Sequence, residues 1–146
     1  MASMPARAPS RHVKTGSGAA RIRDRVARAL LVLAAAGALA AVAGAVGAVA
    51  DAGPATRMVE TWRMLGFGVF AGVFLLLVYR PRLYAGIWEL AILNKLALTL
   101  AALSFGSGTD GAGAALIADG AVTLILLAAY VLSRGWTAWS TARAVA

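Results

Sequence analysis

The chain reads as an all-α membrane protein, a four-transmembrane-helix up-down bundle with both termini on the cytoplasmic side. Composition is the first ground for this. Hydrophobic residues make up 61% of 146 positions and mean hydropathy is +0.79, far above the apolar share of a soluble domain. A water-soluble chain of that length has too little interior to hide so much apolar surface. Segmentation is the second: apolar stretches at about 27–50, 64–79, 83–103 and 114–133 are separated by short polar or glycine-rich connections. Charge is the third. Seven of the fourteen Lys/Arg lie in the first 28 residues, two in the 80–82 turn and two after span four, whereas the intervening connections hold only Arg57 and Arg63. That alternation satisfies the positive-inside rule with both ends inside.

Residues 1–26 are basic and rich in Pro, Ser and Gly, with no apolar period, and are expected to form a disordered cytoplasmic tail. Its last part, from Ala19, is a candidate helical lead-in whose arginines rest on anionic headgroups. The net charge of +8 is explained by membrane orientation, so no nucleic-acid partner is expected. Span one, Ala27–Ala50, covers roughly 36 Å at about 1.5 Å per residue, enough for a hydrocarbon core of about 30 Å with some tilt. Ala48-Val49-Ala50 has the small-x-small form of a signal-peptide cleavage site, but the apolar run and the basic segment before it are longer than a signal peptide needs. Retention is therefore expected.

Asp51–Arg63 is a short connection whose charges cancel, and Pro54 ends the preceding helix. Span two carries Gly68 and Gly72 in a GxxxG, a helix-packing face. Arg80-Pro81-Arg82 is a tight basic turn with Tyr79, Tyr84 and Trp88 around it as an aromatic belt. Gly106–Gly111 matches G-x-G-x-x-G, yet no strand precedes it and no βαβ unit surrounds it, so it is a flexible loop and no dinucleotide site. The transmembrane domain is expected over 27–136, with residues 137–146 a short cytoplasmic tail behind the Trp136 and Trp139 anchors.

The candidate site is a buried polar network of Glu89, Asn94, Lys95, Asp119 and Thr123. Lys95 lies about 12 Å below the outer end of span three and Asp119 about 8 Å below the start of span four. A lysine stem covers the difference, so a Lys95–Asp119 pair is expected, with Asn94 and Thr123 as nearby hydrogen-bonding groups. A lone charge at that depth costs about 2.5–3.5 kcal/mol. Glu89 is six residues from Lys95, roughly 120° around the helix axis. Arg82 or Arg134 is expected to snorkel toward it.

Other chemistries are poorly served. With no cysteine, and His12 of the tail the single histidine, thiolate, haem and His-based metal sites lack ligands. No serine has a base within the spans. Glu89 and Asp119 differ in depth by more than about 10 Å, too far to share a proton. No catalytic constellation and no cofactor are therefore expected. Arginine, alanine and glycine richness with only two lysines suggests a GC-rich bacterial source, hence the inner membrane.

The Arg63–Gly66–Gly72 opening of span two, the run from Glu89 to Asn94-Lys95, and Asp119 followed by a Tyr/Trp-rich end resemble the small four-helix bacterial membrane proteins grouped as DoxX-like. The likeness covers spans two to four. It implies an integral membrane protein, in some cases accessory to redox complexes. The expected role is accessory or structural, with buried charges fixing the bundle, with the lipid bilayer as partner and with a second copy or a membrane complex as a candidate one. The alternative is a small proton- or solute-coupled transporter using Glu89, Lys95 and Asp119. Small drug exporters place their carboxylate in the first helix, whereas span one has no charge between Ala29 and Ala50.

Overall fold

A computed structural model describes residues 16–106 and 108–144. The chain forms α1 (Gly16–Asp51), α2 (Arg57–Tyr79), α3 (Ile87–Phe105), α4 (Ala112–Ser133) and a short α5 (Ala138–Arg143) that follows a 3₁₀ turn at Gly135–Thr137. The first four are long and apolar enough to cross a membrane.

Helix α1 begins earlier than the sequence reading placed the end of the tail. Residues 16–26 are helical: from Ala19 this is the helical lead-in named above, and the helix reaches three residues further back, to Gly16; the first fifteen residues of that tail lie outside the described residues. The run AARIRDRVARAL has no proline or internal glycine and is rich in Ala and Arg, both strong helix formers, so it propagates directly from span one. Helix α2 likewise starts at Arg57, seven residues before the expected span. Glycines close the other boundaries: Gly86 precedes α3 and Gly111 precedes α4, both at positive φ (84° and 80°), which glycine adopts without steric cost.

Helix α1 packs against α2 and α4, α4 packs against α3, and α2 and α3 scarcely touch. The core gathers Ala27, Leu31, Ala34 and Ala35 of α1, Phe74 and Leu77 of α2, Trp88 and Ala91 of α3, and Leu126 and Ala129 of α4. On α1 these follow the i, i+4, i+7, i+8 spacing of one helix face. All belong to the half of the molecule that holds the start of α1 and the 80–82 turn. Large apolar residues such as Leu33, Leu39, Val69, Leu93, Leu100, Ile117 and Leu124 are exposed on the outer faces.

Gly68 and Gly72 are both exposed, and a Cβ on either would meet nothing within 4 Å. The GxxxG of α2 therefore makes no helix contact inside the protomer. Ala71, one residue away around the helix, is the small residue that α2 buries.

Candidate functional site

The site lies halfway along α3 and in the first half of α4. Lys95 Nζ donates to Asp119 Oδ1 at 2.7 Å, with side-chain exposures of 7% and 15%. Both side chains are thus withdrawn from the surroundings, where unpaired charge is most costly. The ammonium also sits 4.3 Å from the centroid of the Phe70 ring of α2, a cation–π contact. Lys95 therefore joins three helices even though α2 and α3 make almost no backbone approach.

The other expected network members are placed differently. Thr123 is buried, but its hydroxyl donates to the Asp119 main-chain carbonyl at 2.7 Å and not to the carboxylate. This is the back-bond a helical threonine makes one turn along. Asn94 is exposed and lines an open groove between α2 and α3 with Val69, Phe70 and Leu90. Adjacent helix positions differ by about 100°, so Asn94 cannot share the inward direction of Lys95.

Glu89 belongs to a second cluster. Its Oε1 accepts from Tyr130 Oη at 2.9 Å and from Trp139 Nε1 at 3.0 Å. Arg82, expected to reach it, instead donates from Nε to the Ser133 carbonyl at 2.7 Å and from Nη2 to Asp24 Oδ1 at 2.6 Å. With its guanidinium held by these two acceptors, Arg82 makes no hydrogen bond to Glu89. Trp88 is wholly buried; its indole donates to the Pro81 carbonyl at 2.8 Å and its ring packs on Tyr130 at 5.5 Å. Tyr130 in turn meets Trp136 edge-on at 5.7 Å. Gly135 closes this cluster, since a Cβ there would stand 2.5 Å from the Tyr130 ring and 2.8 Å from Trp88 Nε1.

Sequence reasoning missed Tyr130, Trp139 and Gly135 as partners of this region. A signal for the first two was present in the density of aromatic residues after Asp119. Nothing local marks Gly135, because its neighbours come from α3 and from one turn back in α4.

Between the two clusters stand buried Ala91, Leu126 and Ala129, all without a side-chain charge. On the other side of Lys95 the interior is open. A cavity of about 510 Å³ runs from Arg63 and Gly111 down to Lys95 and Asp119, walled by Ala41, Gly44, Ala45 and Ala48 of α1 and by Phe67 and Leu98. A further space of about 240 Å³ continues past the pair toward Phe74 and Val122. The small side chains of α1 leave this volume unfilled. Among the described residues no group of His, Cys, Asp or Glu could hold a metal ion. No family model, curated protein or solved structure matches the chain.

Proposed function

We propose that this is an accessory or structural membrane protein in which the Lys95–Asp119 pair fixes the register of α3 against α4. In this reading the four long helices form an up-down bundle in a bacterial inner membrane, with the arginine-rich end and both termini cytoplasmic. Self-association and docking to a larger membrane complex belong to the same proposal, as does the DoxX-like resemblance. The observation that carries it is the closed contact between Lys95 and Asp119, made while Glu89 is engaged elsewhere by Tyr130 and Trp139. The ionisable groups thus sit in separate, internally satisfied clusters with apolar side chains between them, which suits a packing role better than a relay. Opposite running of α3 and α4 is supported by the same contacts, since Glu89 pairs with Tyr130 and Lys95 with the earlier Asp119.

The second reading, a small proton- or solute-coupled transporter, is favoured by the cavity that reaches the pair from the Arg63 end. Intramembrane ionisable groups facing a cavity are the usual mark of a conduction path. Proton and solute flux measured in proteoliposomes separates the two. The structural reading expects no flux above that of empty vesicles, for the native protein and for Glu89→Gln alike. Flux that Glu89→Gln or Asp119→Asn abolishes, with folding intact, would replace it by the transporter.

A further inference from the structure

Three segments far apart in sequence converge at the arginine-rich end: residues 20–28 of α1, the 80–82 turn and the 134–137 corner. Arg82 ties them together. Its Nε is held by the Ser133 carbonyl and its Nη2 by Asp24. On either side of this latch the surface is concave. One hollow, of about 290 Å³, is lined by Asp24, Arg28, Tyr79, Arg80 and Arg82. The other, of about 410 Å³, is lined by Arg23, Asp24, Arg82, Arg134 and Thr137.

The charge balance of the two hollows is lopsided. Five arginines face one carboxylate, and that carboxylate already accepts from Arg82. The nearest other acid, Glu89, is occupied by Tyr130 and Trp139. Among the described residues, Arg23, Arg28 and Arg134 form no ion pair. Cations gathered from three elements repel one another unless an anion lies between them, and the planar guanidinium fork matches the oxygens of a phosphate.

The height of the hollows says where that phosphate comes from. Arg28 borders the apolar run that starts span one, Arg80 follows the last residue of α2, and Arg134 follows the last residue of α4. Tyr79, Trp136 and Trp139 are exposed at the same level, as amphipathic rings are at a bilayer interface. Basic pockets between helices at that level suit lipid headgroups. We propose that these two hollows, sharing Arg82, bind the phosphate of an anionic phospholipid whose acyl chains run along the exposed apolar flanks of the helices. The inference rests on the membrane reading above.

The test uses the full-length protein in detergent, titrated with phosphatidylglycerol, phosphatidylcholine or inorganic phosphate and read by native mass spectrometry. Arg23→Gln/Arg134→Gln removes two lining charges that hold no described contact, so folding is spared. Arg25→Gln/Arg143→Gln removes two charges from the same end but outside the hollows, since Arg25 is about 200° around α1 from Arg23. Phosphatidylglycerol is expected to bind saturably and in preference to phosphatidylcholine. The lining variant should weaken it about tenfold, and the outside variant by less than about threefold. Equal loss in both variants, equal binding of phosphatidylcholine, or displacement by inorganic phosphate at equal concentration overturns the proposal. Failure of the membrane reading looks different, because the protein would then be recovered in the aqueous fraction without detergent.

Discussion

The two halves of the molecule are built on opposite principles. Around Trp88, Tyr130 and Gly135 the interior is filled to the point where one added methyl has no room. Around Lys95 and Asp119 it is hollow, walled by alanine and glycine. The filled half relies on aromatic contact and hydrogen bonds from indole and phenol groups to carbonyl and carboxylate oxygens. The hollow half relies on the contacts of one charged group, Lys95, with Asp119 and with the Phe70 ring. Between helices in lipid, apolar burial alone supplies little drive, because a lipid tail is as apolar as leucine. Close packing and polar contacts remain, and each half uses mainly one of them.

Variants that break either half should rank accordingly. Asp119→Ala leaves the Lys95 ammonium buried without its carboxylate and should cost about 3–5 kcal/mol, seen as lost membrane abundance and a lower melting temperature in detergent. Lys95→Met with Asp119→Leu should recover most of that loss, and a double variant as weak as the single one would show that the pair does not act as a unit. Gly135→Ala comes next. Its methyl would overlap Tyr130 and Trp88, so about 1–3 kcal/mol is expected from the same melting measurement. Tyr130→Phe keeps the ring packing and removes one hydrogen bond to Glu89, for about 1 kcal/mol. The smallest change, Gly44→Ala, should go the other way. The site is open within 4 Å, so alanine's helix preference should raise stability by up to about 1 kcal/mol. A stabilising Gly135→Ala, or a damaging Gly44→Ala, would undo the contrast between the halves.

The four apolar helices were legible because their signal is summed over about twenty residues each, and no local detail can cancel it. The approach of Lys95 to Asp119 was legible for a related reason. Depth along a helix is a count of residues from a loop, and two charges at matching depth in adjoining spans have few other partners. Azimuth was not read as well. Asn94 was grouped with Lys95 by adjacency, although a step of about 100° turns it away. The partners of Glu89 were hidden for a third reason. Arg134 takes a left-handed conformation (φ 56°), and the corner there swings Trp139 back onto α3. A single backbone dihedral of that kind leaves no periodic trace in the sequence. The early start of α1 was obscured by Gly16, Ser17 and Gly18 in its first turn, although the arginine-alanine run itself favours helix.

Helix α1 is continuous for 36 residues, about 54 Å at 1.5 Å per residue, against a hydrocarbon core of about 30 Å. In the bilayer it is therefore a rigid lever whose short arm, residues 16–26, stands outside the apolar layer. The Asp24–Arg82 contact ties that arm to the turn between α2 and α3. The same rod carries Ala41, Gly44, Ala45 and Ala48, the small-residue wall of the cavity beside Lys95.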